Sequence, residues 1–310
     1  MLHGTGEGIR GGLAELHKVI FLSGYLRVRR KEWITNIIMK YRYHLKKIKT
    51  LARKTYLTFR GRNLTSPVIF FHVQKCGGTS VRAAILDRLG IRDYLTGRYF
   101  TLDAYASREA TEILGTEMRA LRENVLAYEV KCSPKPVFVT GHFPYSRAIH
   151  SEFEEYTSTT VIREPVDRFI SQFFYNKNKS TQFHFGINMN IDEYLDSERA
   201  KGAGRRMTSY FAGNEGLNEA STLNELVERA IQNIRHLDVV GVLRDLTSFE
   251  REFAQATGTN IRIPHHRKNP TDQSKRNEVL TEERLERIRV LCAPDIRLYE
   301  AVLSDLQGGE

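Results

Sequence analysis

The sequence predicts an α/β fold, a parallel sheet in three layers with a P-loop-like site at one strand end. Three observations carry this reading. Short apolar runs at 68–73, 137–140, 159–162 and 239–242 alternate with stretches of helical period and length. The first run is almost unbroken, as befits a strand buried on both faces. It stops abruptly in "FFHVQKCGGTS", where a lysine, two glycines and two hydroxyls take over.

Residues 1–62 read as an arm and 63–310 as the folded domain. The first twelve residues are glycine-rich and carry no pattern. Over 33–52 the apolar residues Ile34, Ile37, Ile38, Tyr41, Leu45, Ile48 and Leu51 form a helical stripe, with basic residues on the remaining surface. Such a helix can lie on an anionic membrane surface, pack on the domain, or serve subunit association in a homo-oligomer. Beyond the first strand, 79–89 reads as a helix ending at Gly90, and 91–131 as mixed helix with 107–129 its strongest part. Strands 137–140 and 159–162 follow. Pro165 opens a helix through Tyr175, a position where the first turn tolerates proline. Residues 176–221 are polar with weak periodicity and read as a substrate-side insertion. Helix 223–234, strand 239–242 and helix 246–256, closed by Gly258, come next. A basic loop, "IPHHRKNPTDQSKRN", leads to two helices, 282–291 and 294–306.

The net charge of +10 is unevenly placed. Between Arg27 and Arg62 there are 13 Lys and Arg against the single acid Glu32, a balance of +12, so the rest of the chain carries −2. A nearly neutral domain speaks against nucleic acid as its partner. Hydrophobic residues, at 41% of 310, suffice for a core, and no run approaches the roughly 20 apolar residues that span a bilayer. The run 19–26 is broken by Ser23 and Gly24 and lacks a cleavage site, so no secretory signal is read there. Cys76, Cys132 and Cys292 lie far apart, without a CxxC pair or a Cys/His zinc spacing; adjacent His265 and His266 are poor joint ligands. The expectation is a metal-free protein of a reducing compartment, cytoplasmic and at most membrane-peripheral through its arm. The sequons at Asn63 and Asn178 add nothing without a signal.

A strand, a glycine turn and a helix N-terminus make an anion site, because backbone amides converge there and the helix dipole adds positive potential. Gly77 and Gly78 admit an oxyanion closely, Thr79 and Ser80 offer hydroxyls, and Lys75 adds a full charge. A Walker A loop would place its lysine after the glycines, and no acid ends a neighbouring strand to hold magnesium. A second stretch, "TTVIREPVDRFISQFFY", sets Arg163 at a strand end and Ser171 two turns along the next helix. Together they can clasp a second phosphate. Arg168 reads either as part of that site or as a surface residue paired with Asp167 or Glu164.

These two stretches closely resemble the nucleotide-binding motifs of sulfotransferases, enzymes that use 3′-phosphoadenosine 5′-phosphosulfate (PAPS). The lysine-first loop resembles their 5′-phosphosulfate loop, and Arg163, Pro165, Arg168 and Ser171 resemble their 3′-phosphate motif. The match is best to the carbohydrate type, which includes heparan sulfate and uronyl 2-O-sulfotransferases and bacterial relatives, and runs from about 67 to 306 in the sequence. It implies the sulfotransferase fold, PAPS as co-substrate bound by Lys75, Cys76, Gly77, Gly78, Thr79, Ser80, Arg163 and Ser171, no metal, and a hydroxyl acceptor on a glycan or glycoconjugate. Golgi members of this type carry a membrane anchor that this sequence does not show. Cys76 departs from the family's usual threonine, either as a tolerated small replacement or as a thiol made reactive by the helix N-terminus.

Sulfuryl transfer to an alcohol needs a base, and histidine suits the role. "FVTGHFPYS" puts His142 just past a strand end, with Gly141 beside it to let substrate approach; the stretch resembles the family segment whose Gly-His pair carries the catalytic base. Lys75 would stabilise the leaving phosphate. His72 reads as a neighbour of the same pocket or as a half-buried strand residue. Arg267, Lys268, Arg205 and Arg206 read as solvated charges or as anion contacts. Two other functions compete: a P-loop-type small-molecule kinase, disfavoured by the lysine's place, and a non-enzymatic membrane-surface or polyanion-binding protein on a degenerate nucleotide fold.

Overall fold

The structure, a computed structural model, describes residues 47–61, 63–178, 186–213, 222–264 and 278–308. It divides into two units, Met1–Tyr56 and Leu57–Glu310. In the first, the described residues, 47–56, are helical. Most of the stripe expected over 33–52, the glycine-rich start, and Arg267 and Lys268 of the basic loop lie outside the described residues.

The second unit is built on five parallel strands in the order β2-β3-β1-β4-β5. They are β1 (Val68–Phe71), β2 (Tyr99–Thr101), β3 (Phe138–Gly141), β4 (Thr157–Ile162) and β5 (Val239–Val242). Successive side chains of β1 go to opposite faces, and both faces are buried. Val68 and Phe70 pack with α1 (Gly78–Asp87) and α11 (Leu246–Thr257). Ile69 and Phe71 pack with α4 (Met118–Lys131), α9 (Arg206–Ala212), α10 (Leu223–Ile234) and the distal half of α12 (Glu282–Gly308). Helices on both faces make the three layers expected of an α/β protein with near-continuous apolar strands.

A third apolar cluster joins α6 (Pro165–Lys177) to α7 (Ile191–Leu195), α8 (Glu198–Gly204) and the proximal half of α12. Polar though 176–221 is, it buries Ile191, Tyr194, Leu195, Ala200 and Ala203 there. Its short helices have firm starts: Asn190 and Glu193 form a capping box, and Ser197 accepts from Ala200 N.

Three elements differ from expectation. β2 is only three residues, half-buried at the sheet edge, too short to give a period. The helical stretch 107–129 is two helices, α3 (Ala104–Leu114) and α4, because Gly115 takes the left-handed conformation at φ 61° and closes the first. The expected break before Pro294 does not occur. α12 runs through it, with Ile288 and Cys292 in one cluster and Leu298, Tyr299 and Val302 in another. Packing on both sides carries the helix across the one hydrogen bond that proline removes.

The strand order sets the site. β1 connects toward β2 on one side, β4 toward β5 on the other, so the chain reverses direction between β1 and β4. Ligands bind beyond the carboxyl ends of strands at such a switch point.

Candidate active site

The loop after β1 carries two left-handed residues, Lys75 at φ 67° and Gly77 at φ 78°. The first is uncommon for a residue with a Cβ and marks a turn held by its surroundings. One tie is visible: Arg163, past the end of β4, donates from Nη1 to the Lys75 carbonyl at 3.4 Å. The first amides to bond back are Ser80 N and Val81 N, both to the Gly77 carbonyl. Those of Gly77, Gly78 and Thr79 find no acceptor among the described residues. They form an N-terminal set of free donors suited to an oxyanion. The Lys75 ammonium lies over the Tyr175 ring, 3.9 Å from its centroid.

Gly78 is required by the protein's own packing. A Cβ there would lie 2.0 Å from His72 Cδ2, since the imidazole rests on the first turn of α1. Cys76 settles its two readings toward the inert one. Its thiol is fully buried in the core, faces the Gln74 carbonyl at 3.7 Å, and is pushed up to about 12 by burial. Only its backbone is left to meet a ligand.

Arg163 is half-buried and pairs loosely with Asp167 at 3.7 Å. Glu164 caps α6 by accepting from Val166 N and Asp167 N, and Pro165 takes the first helical position. Ser171 is buried on the same helix. Arg168 is neither at the surface nor paired with Asp167 or Glu164. It is wholly buried, 3.7 Å from Asp295 of α12, and donates to Gln172 Oε1 at 2.8 Å and to the Ala203 carbonyl. Asp295 in turn accepts from Met207 N and Thr208 N, buried amides in the first turn of α9 that have no partner within the helix. Arg168 therefore fixes α8 and α9.

His142 follows the end of β3. Its Nδ1 lies 2.6 Å from the His72 carbonyl. A carbonyl can only accept, so Nδ1 carries the proton and Nε2 is a bare lone pair. The two imidazoles are 4.4 Å apart between centroids. Burial, and then the charges of Arg122, Arg82 and Arg206, lower His142 to about 4 against the raising effect of the carbonyl bond. Burial, His142 and Arg82 lower His72 to about 3. Both rings are neutral at physiological pH. Gly141 makes room for Leu102 and Phe143, whose atoms would lie 2.4 and 2.9 Å from a Cβ, so its small size serves packing and not substrate approach.

Thus the ends of β3, β1 and β4, three adjacent strands, bring together His142, the Lys75–Ser80 loop and Arg163, with Ser171 one helix inward. Residues 63–300 match the model of the Sulfotransferase family, well over half of the chain. The chain belongs to the sulfotransferase family. No individually curated protein matches it. The matched segment of this sulfotransferase begins just before β1 and ends within α12, and the arm lies before it. Among the described residues, no helix is long and apolar enough to cross a membrane and no cluster of side chains could hold a metal.

Sequence reasoning missed the arginines around His142. Arg82, Arg122 and Arg206 come from three helices, and only tertiary structure gathers them. Arg206 in particular, read as a solvated or anion-contacting charge, is half-buried with its Nε covered, while its neighbour Arg205 is exposed.

Proposed function

We propose that this sulfotransferase moves the sulfuryl group of PAPS to a hydroxyl of a carbohydrate, on a glycan or glycoconjugate, by in-line transfer with His142 as base. The observation that carries the reading is the His142 Nδ1 contact with the His72 carbonyl. It presents an unprotonated Nε2 beside a loop of free amides.

PAPS supplies the activated sulfuryl group and a stable leaving group. The loop residues fit its 5′-phosphosulfate: the amides of Gly77, Gly78 and Thr79 have no acceptor among the described residues, and Lys75 adds the charge that stabilises the departing phosphate oxygen. Arg163 and Ser171 would hold the 3′-phosphate. The acceptor oxygen bonds to sulfur as the bond from sulfur to the phosphate oxygen breaks. The hydroxyl proton passes to His142 Nε2. No step calls for a metal.

Isothermal titration with 3′-phosphoadenosine 5′-phosphate (PAP), beside ATP with magnesium, tests the donor half. Binding of PAP that is lost in Arg163→Ala or Ser171→Ala is expected. Preference for ATP with magnesium would favour a kinase instead.

A further inference from the structure

Residues 47–59 form one helix that stops for a local reason. Gly61 takes the left-handed conformation at φ 62°, and its amide bonds back to the Thr58 carbonyl at 3.0 Å. Leu57 is buried, and Thr58 Oγ1 accepts from Ile91 N at 3.0 Å. Lys54, three residues before Leu57, is buried as well. The opposite face is different. Ile48, Ala52, Tyr56 and Phe59 are all exposed, Ile48 at 62%, Tyr56 at 52% and Phe59 at 89%. At 3.6 residues per turn these four fall within about 80° of one another, with Lys54 and Leu57 on the far side.

Apolar side chains exposed singly are ordinary, but a stripe of them along one helix is not. Its borders are basic. Residues 47–61 contain Lys47, Lys49, Arg53, Lys54 and Arg60 and no acid, and all of these but Lys54 are exposed. By the same helical spacing, Lys49, Arg53 and Arg60 edge one side of the stripe and Lys47 the other. An exposed apolar stripe edged by cations suits a helix that lies in an interface. Two other occupants fit less well. A soluble polyanion would meet the cations and leave Ile48 and Phe59 in water. A second copy would bring the balance of +12 between Arg27 and Arg62 against an identical charge. An anionic bilayer answers both features, headgroups for the cations and acyl chains for the stripe.

We infer that the helix 47–59 docks flat on an anionic lipid bilayer, with Ile48, Ala52, Tyr56 and Phe59 in the acyl boundary and Lys47, Lys49, Arg53 and Arg60 among the headgroups. A stripe of this kind reaches about 5–10 Å below the headgroups. Tyr56 keeps its hydroxyl at the wet edge while its ring is buried. The two contributions respond differently to salt. The cations lose their attraction as the Debye length shrinks, whereas burial of the stripe does not depend on screening. Attachment is therefore reversible and weakened by salt without being abolished. The inference stands apart from the readings of the donor loop and of His142, and needs neither.

The test is co-sedimentation of the full chain with vesicles of phosphatidylcholine alone or with about 30 mole per cent phosphatidylserine. Sedimentation with the anionic vesicles only is expected, weakened but still measurable as salt rises from about 0.1 M to about 0.5 M. Lys47→Gln with Lys49→Gln should reduce the partition coefficient about thirtyfold. Ile48→Gln with Phe59→Gln should reduce it about tenfold or more. All four positions are exposed, so thermal unfolding should move by less than about 2 °C, and the comparison of the two vesicles needs no variant. No sedimentation with anionic vesicles, or equal sedimentation with neutral ones, overturns the inference. Loss in the lysine variant with full retention in the Ile48 and Phe59 variant overturns it too, and assigns the helix to a soluble polyanion. If that second variant keeps vesicle binding and instead dissolves an oligomer in analytical ultracentrifugation, the stripe belongs to a second copy and not to lipid.

Discussion

Replacing Arg168 by methionine separates a residue of the fold from a residue of the ligand site. Its guanidinium and the Asp295 carboxylate are both fully buried, 3.7 Å apart, and Arg168 also serves Gln172 and the Ala203 carbonyl. Arg168→Met would strand a buried carboxylate, with only the amides of Met207 and Thr208 to solvate it. Breaking a buried pair from one side costs about 3–5 kcal/mol. For a domain of this size each kcal/mol lowers Tm by about 2–4 °C, so a fall of about 6–20 °C is expected. Differential scanning calorimetry reads it, and PAP titration well below the new Tm should give a nearly unchanged Kd. R168M/D295N should be more stable than R168M alone, because it removes the stranded charge and keeps an acceptor for one α9 amide. A Tm within about 2 °C of the parent, together with lost PAP affinity, would refute this account and return Arg168 to the phosphate site.

Other consequences follow from the base and the loop. If His142 is the base, His142→Gln should lower kcat by about 10²–10⁴-fold while PAP affinity by titration holds, since that role puts the ring against the acceptor and not the donor. With His142 lowered to about 4, the acid limb of kcat/KM should fall near pH 4, and a limb near 6.5 would mean that the free enzyme's base is less buried than the structure shows. Both His142 and His72 bind protons more weakly folded than unfolded, so their contribution is full above about pH 6.5 and is lost as pH falls toward 4 and 3. At pH 5 that loss is about 4 kcal/mol for the two together, and urea unfolding of His72→Asn and His142→Asn should each flatten the slope by about half. Gly78→Ala should cost about 1–3 kcal/mol by displacing the His72 ring, and should lower kcat, because the His72 carbonyl orients His142; unaltered turnover at unaltered Tm would break that link.

Much of the fold was legible because β1, β3 and β5 are buried on both faces, and two-sided burial writes a mostly apolar run into the sequence, whereas β4, TSTTVI, shows only its last two residues as apolar. β2 has no such run, only Tyr99, Phe100 and Thr101 half-covered at an edge. Residues that share one turn or one strand end were also legible: Lys75 through Ser80, Arg163 with Ser171, and His142 each sit where a local pattern points. What local pattern cannot show is partnership across the fold. Arg168 and Asp295 are 127 residues apart, and nothing near either forecasts the other. The arginines about His142 look like ordinary charged positions on three separate helices until α4 and α9 fold over the strand ends.

The lysine that precedes the glycines is explained by what it holds within the protein itself. Lys75 takes a left-handed turn that aims its carbonyl at Arg163, at the long end of hydrogen-bond range, 3.4 Å. Its ammonium rests on an exposed tyrosine, a contact of about 0.5–1 kcal/mol. Both are weak interactions that charge-assisted bonds to phosphate would outcompete. The two cations are thus positioned across the β1–β4 switch without being locked there. His142 is held more firmly: His72 lays its ring on Gly78 at the root of α1 and offers its carbonyl to His142. Because one residue touches both, the distance from the Lys75–Ser80 loop to His142 is set by His72, and only the long side chains of Lys75 and Arg163 are left to adjust.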